Sequence, residues 1–194
     1  MKRLLIAGLG NPGDEYANSR HNAGADYIDL LCKNYSLSLE NENQINGSVA
    51  KLKTEEYELI FVVPSTYMNE SGLCISKSKK FFNLNTEEIL VAHDELDLPK
   101  SVIRLKESGG HGGHNGLRNI IDQLKGDNAF KRLRIGIGKP KGNIEVADYV
   151  LQNFDEDESL SIEKISEYIT EEISFLGGRR QIQKKDIIGV HRCT

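Results

Sequence analysis

Cysteine is scarce in this chain of 194 residues, and the three that occur, Cys32, Cys74 and Cys193, are odd in number and far apart. That usage excludes a disulfide framework of the secreted kind and suits a reducing compartment, with the cytoplasm as the expected location. No apolar run approaches ~18 residues and no signal-peptide pattern opens the chain, so neither a membrane span nor export is expected. Familiar catalytic signatures are missing too. HExxH and paired CxxC motifs are absent, as are the GxSxG elbow and a glycine loop ending in Gly-Lys-Ser or Gly-Lys-Thr. The motifs therefore give no support to a catalytic metal, a serine hydrolase or nucleotide hydrolysis.

What is present describes an ordinary globular domain. At 38% hydrophobic and 28% charged, the chain is long enough to bury one core without disulfide or metal staples, and a single domain over residues 1–194 is expected. The net charge of −4 disguises an uneven distribution: residues 100–142 hold ten Lys or Arg against three acids, whereas residues 143–175 hold ten acids against Lys164 alone. A polyanion touching one face feels the local sign, because screening removes distant charge within ~8 to 10 Å. A basic patch is therefore compatible with the acidic total.

Strand and helix signals alternate along the chain. Leu4 to Ala7 reads as a strand buried on both faces, and Ala23, Tyr27, Leu31 and Tyr35 recur at helical spacing. Residues 34–46 suggest a loop or weak strand, Val49 to Leu52 and Glu58 to Val63 a hairpin, Ser71 to Phe82 a helix, and Ile89 to Ala92 a second buried strand ending at His93-Asp94. Val102 to Leu105 follows as a strand, then a loop from Glu107 to Gly116 and an amphipathic helix carrying Leu117, Ile120, Ile121 and Leu124. Leu133, Ile135 and Ile137 alternate with Arg132 and Arg134, as in a half-buried strand, and Ile162 to Leu176 marks a long helix stopped by Gly177-Gly178. The fold class expected is α/β, a single domain with a twisted, mixed, largely parallel sheet packed between helices.

Chemistry concentrates in four segments that end or follow strands: Asn11 to His21, Thr66 to Ser71, His93 to Asp97, and Gly109 to Gly116. Gly8, Gly10 and Gly13 also satisfy the dinucleotide fingerprint GxGxxG. That reading is disfavoured, because Asp14 to Asn22 offers only Tyr16 and Ala17 to bury where the cofactor helix would pack. His21 and Asp94 are the pair to join: an imidazole with a pKa near ~6.5 takes a proton from water, while a carboxylate on its other nitrogen fixes the tautomer and steadies the cation. Asn11, Asn69 and Asn115 are amide donors that do not titrate, suited to a carbonyl and the oxyanion it becomes. The glycine-rich run around His111 and His114 reads as a loop that closes over substrate.

Taken together and in this order, GLGNPGDEYANSRHNAG, PSTYMNESG, LVAHDELDLP, GGHGGHNG and RLRIGIGKP resemble the bacterial peptidyl-tRNA hydrolase family over residues 1 to about 150. The resemblance implies a monomeric α/β enzyme, without cofactor or metal, that cleaves the ester between a peptide and the terminal ribose of tRNA. It implies His21 as general base, Asp94 as its stabiliser, and Asn11 as the residue that tells blocked from free aminoacyl groups. Tyr16, Tyr67, Asn69 and Asn115 match positions that bind the tRNA end or the peptide, Met68 a wall of the peptide groove, and His114 a loop residue near the ester. Lys106 and Arg134 match a clamp for the tRNA 5′ phosphate, which agrees with the basic surplus; Arg104 and Arg118 extend it. Ser19 replaces the usual threonine and Tyr67 a common phenylalanine, both conservatively, whereas the basic tail from residue 177 departs from the family pattern. A non-catalytic RNA-binding relative of the same fold is the alternative, since loss of the base would leave the phosphate contacts intact.

Overall fold

The computed structural model describes residues 2–53 and 57–154; the long helix and basic tail expected beyond residue 160 lie outside the described residues. Among the described residues, seven strands form one mixed sheet in the order β2-β3-β4-β1-β5-β7-β6. Its centre is parallel: β1 (Lys2–Gly8) lies between β4 (Tyr57–Pro64) and β5 (Ile89–Glu95), and β5 pairs with β7 (Lys131–Gly136). The edges are antiparallel, with β2 (Glu40–Glu42) on β3 (Gly47–Lys53), β3 on β4, and β6 (Ile103–Lys106) on β7.

The unbroken apolar run of β1 exists because both of its faces are covered. Ile6 joins Ala23, Tyr27, Ile28 and Leu31 beneath helix α1 (Ala23–Asn34), while Leu5 and Ala7 join Cys74, Ile75, Leu117 and Ile120 beneath α2 (Ser71–Phe81) and α3 (Asn115–Gln123). A strand sandwiched in this way needs no polar face. Helix α1 also approaches the sheet unusually closely, since a Cβ on Gly24 would lie 2.2 Å from the Ala92 carbonyl oxygen and one on Gly8 2.1 Å from that of Gly24. This contact fixes the first turn of α1, and with it the preceding His21 segment, against the carboxyl ends of β1 and β5.

Two sequence expectations are corrected, and one element the sequence did not suggest is added. Asn115 and Gly116 do not belong to the glycine loop; they open α3, whose N-cap is His114. Arg132 does not line an exposed face of β7: it is 1% exposed, donates to the carbonyls of Phe130 and Gly109, and stacks on the Phe130 ring, because the loop after β6 folds over that side. A short helix α4 (Val146–Leu151) occupies a stretch whose acid-rich composition hid the spacing of Val146, Tyr149 and Val150. Gly13 opens only a three-residue 3-10 turn, Asp14–Tyr16, with no buried residue, so no cofactor-type helix packs on the sheet there.

Candidate active site

The carboxyl ends of β1, β4 and β5 lie side by side, and the loops that leave them meet above the sheet, where open α/β folds place their ligands. His21 comes from a 3-10 turn, Arg20–Asn22, leading into α1, and Asp94 from the penultimate position of β5. The two side chains are separated by 73 positions in sequence, yet His21 Nδ1 stands 2.9 Å from Asp94 Oδ1 and 3.1 Å from Oδ2. Since the carboxylate only accepts, Nδ1 carries the proton, and Nε2 is left with its lone pair. Behind this turn, the backbone of residues 152–154 runs against Asn18–Arg20, and the Tyr149 ring covers the Arg20 guanidinium at 4.5 Å.

A second imidazole shares the carboxylate. His114 Nε2 lies 2.9 Å from Asp94 Oδ1, while its Nδ1 accepts the Leu117 N–H at 3.3 Å and caps α3. That cap fixes the tautomer: Nδ1 holds the lone pair, so Nε2 must be the donor to Asp94. The α3 start reaches this far because position 116 has no side chain; a Cβ there would stand 2.6 Å from Met68 Sδ and 2.9 Å from Leu9 Cδ1. His21, Asp94 and His114 present donor atoms within 4.8 Å of one another, a spacing compatible with a cation. A metal ligand needs the lone pair that His114 Nε2 has given up to its proton, and the hydrogen-bonded arrangement therefore uses the same atoms differently.

Electrostatics follow from burial and these donors. Burial opposes the charged form of both partners, but the neighbouring His114 and His21 rings hold the 4%-exposed Asp94 carboxylate well below the ordinary carboxylate range. Burial likewise works against His21⁺, yet the Asp94 charge and hydrogen bond prevail and raise the His21 pKa above 6.5. His93, packed edge-on against His114 with centroids 5.0 Å apart, is driven by burial down to about 3 and stays neutral. Cys32 and Cys74 are buried with their thiols pushed up to about 11, which suits core packing and not nucleophilic chemistry.

The asparagines divide. Asn11 Oδ1 accepts the Met68 N–H at 2.8 Å and Asn115 Oδ1 accepts from Arg118 at 3.3 Å, so in each the amide nitrogen is the end left for a ligand. Asn69 is exposed beside Met68, whereas Met68 itself is 4% exposed and contributes its backbone. Tyr16 and Tyr67 meet edge to face at 6.3 Å, with Tyr67 half exposed. On the sheet edge, Arg104 faces Arg134 and Lys106 faces Arg132 across β6 and β7, four cations on one face with Glu95 bonded to Arg134 at 2.9 Å. Like charges placed opposite each other disfavour pairing unless an anion joins them.

The peptidyl-tRNA hydrolase family matches residues 5–187. The chain belongs to this family. A peptidyl-tRNA hydrolase from Haemophilus influenzae is 45% identical over 176 residues, 90% of this chain and 91% of that one, and one from Coxiella burnetii is 51% identical over 158 residues, 81% and 82% of the two. The crystal structure of peptidyl-tRNA hydrolase from Acinetobacter baumannii superposes with a TM-score of 0.84 at 36% identity, covering 96% of this chain and 94% of that one. This member of the family is thus a hydrolase acting on peptidyl-tRNA, with the mixed α/β fold expected from its sequence. No helix among the described residues is long and apolar enough to cross a membrane.

Two features of the site escaped the sequence. The bond from His114 to Asp94 left no trace in spacing, because a glycine loop gives no periodicity from which to aim a side chain. Asn22, which bonds the Asn11 backbone, stands directly after His21, but a lone asparagine there pointed to no role of its own.

Proposed function

We propose that His21 Nε2 takes a proton from a water molecule, whose oxygen then attacks the ester carbonyl joining the peptide to the 3′-terminal ribose of tRNA. The carbon–oxygen bond to the ribose breaks, and the departing ribose oxygen takes the proton back from His21. The observation that supports this reading is the Nδ1–H bond to a buried carboxylate, which leaves the other ring nitrogen bare and stabilises the cation formed in transit. Asn11 Nδ2 and Asn115 Nδ2 would donate to the carbonyl oxygen as it gains charge, Asn69, Tyr16 and Tyr67 hold the acceptor end or the peptide, and Met68 fixes Asn11 from behind. A base worth ~10² to 10⁴ together with aligned donors is adequate for an ester with a sugar hydroxyl as leaving group. All these groups come from one chain, which suits a monomer, and the buried thiols suit the cytoplasm.

The assay that tests the reading compares N-blocked aminoacyl-tRNA with the same tRNA carrying a free amine. Release of the blocked acyl group alone is expected. Equal release of both, or of neither, contradicts the assignment.

Lys106 and Arg134 are proposed to grip the 5′ phosphate of the acceptor stem, supported by the cluster of cations that the β6–β7 register brings onto one face, where Glu95 is bonded to Arg134. Lys106→Ala should therefore raise KM with kcat unchanged, and the slope of log affinity against log salt should become shallower by about 1. Titration of tRNA at several salt concentrations provides the check; an unchanged slope removes Lys106 from the clamp.

A further inference from the structure

Asn22 follows His21 directly and is 7% exposed, at the entrance to α1. Its Oδ1 accepts the Asn11 N–H at 2.8 Å and its Nδ2 donates to the Asn11 carbonyl at 2.9 Å. One side-chain amide thus pairs with one backbone residue in both directions, as a neighbouring strand would, just where β1 has ended and no strand continues. Gly10 permits the approach: a Cβ there would stand 2.8 Å from Ala25 Cβ and 3.1 Å from Asn22 Cγ. Met68 supplies a third bond, to Asn11 Oδ1. Three of the four polar functions of Asn11 are consequently taken, and among the described residues its Nδ2 has no partner.

We propose that Asn22 is a positioning residue for the hydrolytic step, acting through Asn11; the proposal rests on the reading of Asn11 Nδ2 as a donor to the substrate carbonyl. Without Asn22 the Asn11 backbone would be held by no protein group in a turn between Gly10 and Pro12, and the single bond from Met68 would leave its amide able to pivot by more than the alignment tolerates. Displacement of about 1 Å in such a group costs up to about 10²-fold in rate. Because Asn22 is also the residue after His21, the same short segment sets the base and the amide donor at a fixed separation. A merely structural asparagine would affect stability alike with or without the Asn11 side chain.

A double-mutant cycle on hydrolysis of N-blocked aminoacyl-tRNA separates the two. Asn22→Ala is expected to lower kcat by roughly 10- to 100-fold with KM changed by less than about threefold, and in the Asn11→Ala background the same substitution should cost less than about threefold. Equal losses in both backgrounds overturn the positioning role while leaving the hydrolytic reading in place. An Asn11→Ala variant with full kcat overturns the donor role of Asn11, and the proposal with it. If Asn22→Ala does not fold, hydrogen exchange in the unaltered enzyme decides: the Asn11 amide proton, though in a loop, should be protected by at least about 10²-fold, and exchange at the rate of a free peptide refutes the lock.

Discussion

Replacing His21 with alanine is expected to reduce kcat by about 10² to 10⁴ while leaving affinity for tRNA within about twofold. Among the described residues no neighbouring ring is placed to inherit the proton: His114 Nε2 is occupied as a donor to Asp94, and His93 is 1% exposed and packed against His114. Binding is proposed to rest on a different part of the surface, the cations of β6 and β7, which the substitution does not touch. The residual rate should reflect positioning and the amide donors alone. Single-turnover kinetics on blocked aminoacyl-tRNA, paired with an equilibrium titration, separates the two quantities; a variant with substantial turnover would place the base elsewhere.

Asp94→Asn should lower kcat by at least about 10² and, more diagnostically, move the pH profile. In the unaltered enzyme the His21 pKa is raised, so the active, unprotonated base is lost as pH falls through a value above 6.5. The asparagine variant removes the charge that opposes burial. Burial alone then lowers the pKa, and the acid limb of kcat/KM should shift to lower pH, which makes the ratio of parent to variant activity smaller under acid conditions. A profile whose acid limb stays in place would mean that Asp94 does not set the ionisation of His21.

Much of this was legible because the signals were local. Leu4 to Ala7 and Ile89 to Ala92 announce buried parallel strands by having no polar face, and the residues after such strands fall at a common sheet edge; His21 and Asp94 were paired on that basis and lie in hydrogen-bond contact. Arg132 misled for the opposite reason. Alternation with Leu133 and Ile135 assigns it to the other face of β7, but nothing in a period of two tells whether a loop covers that face. His114 and Asn115 were mistaken for mobile loop residues since the glycines before them conceal a helix start that only the N-cap bond reveals. The packing of α4 behind the His21 turn is equally nonlocal, resting on Tyr149 and Arg20, which are 129 positions apart.

Everything turns on which nitrogen of His21 carries the proton. Nitrogen-15 correlation spectra of the histidine rings, recorded about two pH units above the His21 pKa, read this without substrate or mutation. The expected spectrum shows His21 protonated at Nδ1 and bare at Nε2, with His114 as the opposite tautomer, bare at Nδ1 and protonated at Nε2. A His21 ring found with its proton on Nε2 would leave no base facing the substrate and would contradict the mechanism.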